Sequence, residues 1–130
     1  MANELILIVE DNDKNMKLAR DILQVKGYRT IEAESAEAGL PLVAAQKPDL
    51  VLMDIHLPGM NGIDALKQLR AAPETSQIPV LAFTASVMPQ DRREIMGAGF
   101  DGFVSKPINL KEFVATIAKT LANDQTGGGA

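Results

Sequence analysis

With 130 residues, 46% of them apolar and 23% charged, the chain has the make-up of one ordinary globular domain and too little length for two cores. A net charge of −4, 4% aromatic residues and no Trp leave neither a basic stripe nor stacking platforms, so direct nucleic-acid binding is not expected. The absence of Cys excludes disulfides, thiolate chemistry and Cys-type zinc sites.

The first apolar run, Leu5–Val9, follows Glu4. It is too short for a signal-peptide core or a membrane span and has an acid before it, which predicts a cytoplasmic chain without membrane insertion. Lys14–Lys26 then predicts a helix with Leu18, Ile22 and Val25 on one stripe and Gly27 as its stop. A weaker, edge-like strand spans Tyr28–Ala33. Ser35 caps a helix running to about Gln46, and Pro41 inside it predicts a kink or a late start. Leu50–Met53 is the third strand. Gly62–Ala72 is a helix with Ile63, Leu66 and Leu69/Arg70 at helical spacing, ending before Pro73. Val80–Phe83 is the fourth strand. Pro89 suits the first turn of a helix with Ile95 and Met96 facing inward and Gly97/Gly99 at its end. Gly102–Val104 is a second edge-like strand. Leu110–Leu121 carries Leu110, Phe113, Val114, Ile117 and Leu121 in helical register. The domain therefore spans residues 4–122, and 123–130, without apolar periodicity, are expected to form a disordered C-terminal tail.

Most of the strand runs are apolar at consecutive positions, the pattern of strands covered on both faces. Alternation with helices predicts an α/β, flavodoxin-like fold: a doubly wound parallel sheet of five strands with five helices. In such sheets ligands bind beyond the carboxyl ends of the strands, where strand order reverses. Those ends carry Glu10-Asp11-Asn12-Asp13, Asp54, Thr84-Ala85-Ser86 and Ser105-Lys106-Pro107. With strand order 2-1-3-4-5, the acids after the first and third strands converge.

Any one of these polar residues is explained by its place in a loop. The set is not, because Asp54 directly follows Leu50-Val51-Leu52-Met53 at a position expected to be half-buried. A lone carboxylate there costs several kcal/mol unless it is paired or metal-bound. Converging acids with no Cys and no pair of His residues point to a hard cation, and Mg2+ fits best, with Mn2+ as a substitute. A carboxylate nucleophile, a cation and a lysine make a phosphoryl-transfer site. Lys106 would hold one phosphoryl oxygen and the Thr84 hydroxyl, with a backbone N–H, another. The single His, His56, reads most simply as solvated surface, although it overhangs the site. Met53, Met60, Met88 and Met96 read as packing residues and not as a metal box.

Val9-Glu10-Asp11-Asn12, the stretch from Pro48 to Gly62 through Met53-Asp54-Ile55-His56-Leu57-Pro58-Gly59, Phe83-Thr84-Ala85 and Ser105-Lys106-Pro107 resemble the two-component response-regulator receivers. The resemblance covers residues 4 to 121, and the segments Asn12–Leu18 and Ser105–Ile108 further resemble single-domain members that act in cell division. The resemblance implies a stand-alone phosphoacceptor with magnesium-dependent self-phosphorylation and slow autodephosphorylation, not an enzyme acting on a separate substrate. It makes Asp54 the phosphoacceptor, Asp11 and Asp54 metal ligands with the His56 backbone carbonyl, and Glu10 a ligand through water. Thr84 and Phe103 match the switch pair, with Phe where many members have Tyr, and Lys106 matches the phosphate-binding lysine. The Lys106–Pro107 peptide is then expected cis. Implied partners are a histidine kinase or a histidine phosphotransfer protein, and a downstream protein docking on the fourth helix, fifth strand and fifth helix.

Three rival readings fit the same residues less well. An aspartate-nucleophile phosphatase of the haloacid dehalogenase type needs a second acid two residues after the nucleophile, where His56 stands. A flavin-binding flavodoxin needs a first loop rich in Ser, Thr and Gly, and Glu10-Asp11-Asn12-Asp13 would repel its phosphate. A degenerate receiver serving only as a docking surface has no use for the complete set of acids, Thr and Lys.

Overall fold

A computed structural model describes residues 3–85 and 89–129. Five strands, β1 (Leu5–Val9), β2 (Arg29–Ala33), β3 (Leu50–Asp54), β4 (Val80–Thr84) and β5 (Gly102–Ser105), alternate with α1 (Asp13–Val25), α2 (Ala36–Gln46), α3 (Gly62–Ala71), α4 (Pro89–Ala98) and α5 (Leu110–Gly129). The sheet is wholly parallel in the order β2-β1-β3-β4-β5. The two weaker apolar runs are the two edge strands. They lack the continuous burial of β3 and β4, whose ten residues are all buried.

Alternate side chains of each strand feed two cores. Ile6, Ile8, Leu50, Leu52, Leu81 and Phe83 meet Leu23 of α1 and Phe113 and Ile117 of α5. Leu7, Val9, Val51, Met53, Val80 and Ala82 meet α2, α3 and α4 through residues such as Val43, Leu66 and Ile95. Complete burial of one such aliphatic side chain contributes about 1.5–3 kcal/mol.

The helix signals act as side-chain caps. Asn12 accepts from the N–H groups of Lys14 and Asn15, Ser35 from Ala38 and Asn61 from Asp64, each satisfying orphan donors of a first turn. The helix α2 is continuous through Pro41 with neither a late start nor an early end, and the Glu37 carbonyl goes without the one N–H that Pro41 lacks. Three expected orientations are corrected. In α1 the buried residues are Met16, Ala19 and Leu23, while Leu18 and Val25 are 45% and 82% exposed. In α4, Ile95 is buried but Met96 is largely exposed, and Leu110 at the start of α5 is exposed too. In α1 and α4 a neighbouring residue is buried instead, Ala19 beside Leu18 and Ile95 beside Met96, and periodicity alone does not say which stripe wins. The helical backbone of α5 continues to Gly129, past Leu121 and over residues expected to form a tail; Leu121 is the last residue described as buried.

One glycine fixes the site. A Cβ on Gly62 would lie 2.5 Å from the backbone oxygen of Asp54 and 2.9 Å from Ile55 Cα, so α3 starts this close to the end of β3 only because position 62 has no side chain.

Candidate functional site

The carboxyl ends of β1, β3, β4 and β5 share one edge, and strand order reverses there between β1 and β3. Asp54, the last residue of β3, is 2% exposed, deeper than its expected half-burial. Its strand is central, flanked by β1 and β4, and Ile55 and Leu57 of the following loop are buried beside it.

Both carboxylate oxygens of Asp54 are engaged. Oδ1 accepts the His56 backbone N–H at 2.9 Å, and Oδ2 accepts from Lys106 Nζ at 2.9 Å. Glu10, 1% exposed, holds the Asn12 N–H on Oε2 at 3.1 Å. Its other oxygen, Oε1, is ion-paired with Lys106 Nζ at 2.7 Å and has no further hydrogen-bond partner among the described residues. The Lys106 ammonium, 4.6 Å from the centroid of the Phe83 ring, thus faces two buried carboxylates.

Two negative charges on one cation do not balance in a dry site. Burial, and then the closeness of Asp54, push the Glu10 carboxyl from 4.5 up to about 7, against the opposing pull of Lys106 and the Asn12 amide. Burial works to lower the Lys106 ammonium, but Glu10 and Asp54 outweigh it and raise it above its usual 10.5. Without a metal, Glu10 therefore favours the folded state most below its unfolded value of 4.5, and that contribution is lost as pH rises through about 7.

The donor set fits a small hard cation. One oxygen from each of Glu10, Asp11 and Asp54 lies within 4.8 Å of the others, and among them are an exposed acid and two buried ones. Glu10 Oε1, ion-paired with Lys106 but without a further hydrogen bond among the described residues, keeps a lone pair for a cation or its water. No Cys or His stands in the cluster.

The remaining predicted residues lie around it. Thr84, the last residue of β4, is buried, and its carbonyl accepts the Lys106 backbone N–H at 2.8 Å. The Lys106–Pro107 peptide is cis. His56 is exposed and lines a cleft of about 570 Å³ with Asp11, Leu57, Pro58, Asn61 and Glu94. Phe103, partly buried, sits two strands from Asp54, across β4, and the Arg92 guanidinium lies 5.0 Å from its ring centroid. Ser86, Val87 and Met88, which the sequence brings to the end of β4, lie outside the described residues, as does the side chain of Pro89. Sequence reasoning missed the His56 N–H on Asp54, the Phe83 ring beside Lys106 and the Arg92–Phe103 contact. The first had a signal, since a backbone N–H two residues past a carboxylate commonly turns back onto it; the others depend on which strands become neighbours.

Comparison with known proteins agrees with this geometry. The profile of the response regulator receiver domain matches residues 6–118. The polar-differentiation response regulator DivK of Brucella ovis is 42% identical over 118 residues, 91% of this chain and 96% of its own length. DivK of Brucella anthropi is 41% identical over the same shares. The receiver domain of a Pseudomonas aeruginosa sensor histidine kinase, solved with a magnesium ion coordinated in its active-site cleft, superimposes with a TM-score of 0.85 at 28% identity, covering 93% of this chain and 99% of that one. A chemotaxis response regulator of Vibrio cholerae gives 0.83 at 25%, covering 92% and 99%.

Proposed function

Because this chain belongs to the response regulator receiver domain family, we propose that it takes a phosphoryl group onto Asp54 and signals by phosphorylation-dependent protein contacts. The observation that carries the reading is the pairing of a buried strand-end carboxylate with Lys106 Nζ at 2.9 Å inside the acidic cluster of Glu10 and Asp11. The donor is a phosphohistidine on a histidine kinase or a histidine phosphotransfer protein, in the cytoplasm. The likeness to DivK favours a role in cell-cycle signalling.

In the transfer, an Asp54 carboxylate oxygen attacks phosphorus and an O–P bond forms. The donor's N–P bond breaks, and its electron pair leaves with the imidazole nitrogen. The His56 N–H holds one carboxylate oxygen and orients the group, while Lys106 presents its ammonium to the incoming phosphoryl oxygens. Asp11, Asp54 and the His56 carbonyl would hold magnesium, with Glu10 reaching it through water. When bound, the metal neutralises charge on the transferring oxygens. The protein's own chemistry is self-phosphorylation and slow autodephosphorylation, with no separate substrate turned over. Mass spectrometry after a small acyl-phosphate or phosphoramidate donor with magnesium should find one phosphoryl group, labile to base as an acyl phosphate is. No gain would overturn the reading.

Magnesium or manganese should raise the melting temperature by mass action, and Asp11→Ala should remove the effect. The half-point should fall as pH rises through about 7, because the proton held by Glu10 competes with the metal. A flat melting temperature to tens of millimolar metal would count against the site.

Output is assigned to the face of α4, β5 and α5. Thr84 is buried at the end of β4 beside β5, within reach of phosphoryl oxygens on a neighbouring strand end. Its inward movement vacates space into which Phe103 turns, leaving the Arg92 guanidinium behind. Ala85 leaves room for both the phosphoryl group and the movement. Such a switch is a population shift, driven by the differential contacts of the phosphoryl group with the two states. An acyl-phosphate mimic should strengthen partner binding of the wild type and leave Thr84→Ala nearly unresponsive. Equal enhancement in both would show that Thr84 is not the relay.

A further inference from the structure

Between β3 and α3 the chain passes over the site as a loop, residues 55–61, whose His56 N–H is bonded to Asp54. Its first part is held by burial of Ile55 and Leu57 and by the Ile55 N–H on the Phe83 carbonyl at 3.2 Å. Its end is held by Asn61, the cap of α3. From Leu57 to Met60 the backbone makes one hydrogen bond among the described residues: Met60 N–H to Glu37 Oε2, 3.2 Å. Glu37 lies in the first turn of α2, across from the loop and far from the acids of the site in sequence. The same oxygen sits where Gly59 has no side chain, for a Cβ there would fall 2.6 Å from it. Gly59 also has φ +75°, a conformation favourable to glycine. A carboxylate on an exposed helix turn thus reaches into a glycine notch and takes a backbone N–H. Its side chain offers nothing to the core, and the favourable place of an acid in the first turn of α2 does not require it to reach across to the loop.

We propose that Glu37 is a positioning residue for the phosphoacceptor site, its carboxylate holding the loop from β3 to α3, and with it His56, in register beside Asp54. The proposal rests on the phosphoacceptor reading, because its consequence is a preset place for the His56 carbonyl and N–H. A loop released at Met60 samples more conformations, and a cation or phosphoryl group must then order it on binding.

The test compares wild type, Glu37→Ala and Glu37→Gln. Gln loses the charge but keeps an oxygen that accepts the Met60 N–H. Amide hydrogen exchange without metal should show Met60 exchanging faster in E37A and near the wild-type rate in E37Q. The magnesium half-point, read by melting, should rise about three- to tenfold in E37A, the size of one lost hydrogen bond to an ionised group near the surface, and little in E37Q. Metal-free melting of both variants should stay within about 2 °C of wild type, as for an exposed substitution. Unchanged Met60 exchange and an unchanged half-point in E37A would overturn the proposal, as would E37Q behaving like E37A. A wild type indifferent to magnesium would overturn the phosphoacceptor reading, and Met60 exchange would then decide by itself whether Glu37 holds the loop.

Discussion

Asp54→Asn is expected to abolish phosphoryl uptake, a loss of at least about 10³-fold, while the chain stays folded. An amide oxygen is too weak a nucleophile to form the acyl phosphate, and no neighbouring carboxylate takes its place. Glu10 is held protonated up to about pH 7 and is buried behind Lys106, and Asp11 is exposed and lacks the Lys106 contact. The Asn oxygen still accepts the His56 N–H, so the loop keeps its anchor. Removing the Asp54 charge also removes one of the causes that push Glu10 up, so Glu10 should titrate closer to 4.5 in the variant. Relief of this crowding should raise metal-free stability modestly. Labelling of D54N to the wild-type level, followed by mass spectrometry, would exclude Asp54 as the acceptor.

Replacing Lys106 by Met should produce the larger change in stability. The substitution leaves Glu10 and Asp54 buried with no cation between them, and breaking a buried pair from one side costs about 3–5 kcal/mol. The cost is not fixed. Lys106 is one of the two influences that lower Glu10, so without it Glu10 holds its proton to a higher pH than about 7. Near pH 5 that proton neutralises one carboxylate and the loss should be small. Toward pH 8 Glu10 must either keep a costly proton or become a second unpaired charge, so the gap between wild type and variant should widen. Lys106 itself contributes across this whole range, since its raised pKa means its pairing is lost only as pH climbs above 10.5. Magnesium should close part of the gap by supplying the missing positive charge. Urea unfolding of both proteins at pH 5 and pH 8, with and without magnesium, measures all of this. A gap that is constant with pH would mean that the Lys106 contacts are not what keep the two acids in place. Phosphorylation of K106M should also fall sharply, because the ammonium is the cation the chain itself offers to the phosphoryl oxygens.

Much of this architecture is legible in the sequence because consecutive apolar runs such as Leu50-Val51-Leu52-Met53, alternating with helical patterns, are expected of strands covered on both faces. Ser35, legible as a cap, fixes its helix start by a local hydrogen bond that needs no tertiary information, and Asn12 and Asn61 cap α1 and α3 in the same way in the structure. The helix faces are less legible. Leu18 and Val25 stand on a reasonable apolar stripe, yet Met16, Ala19 and Leu23 face the sheet. Two stripes one residue apart differ little in apolarity, and the angle at which the helix packs selects between them. Likewise Pro41 argues against a helix by local rules, and tertiary packing of Val43 overrides it.

The residues of the site follow the same division. Asp54, Glu10, Asp11, Thr84 and Lys106 are candidates from sequence because each stands within two residues of the end of an apolar run, and a parallel sheet puts all strand ends on one edge. That much follows from chain direction alone. The roles of His56 N–H, Phe83 and Glu37 depend on distances between elements remote in sequence, and only the tertiary structure sets them. So does the charge state of Glu10. A carboxylate in this sequence is an ordinary acid, and it becomes one that titrates near 7 only when folding strips its water and places Asp54 beside it. The sequence determines which groups reach the edge of the sheet. Packing decides how far each is desolvated and which of them share a proton, because both effects act across a few ångströms of space and not along the chain.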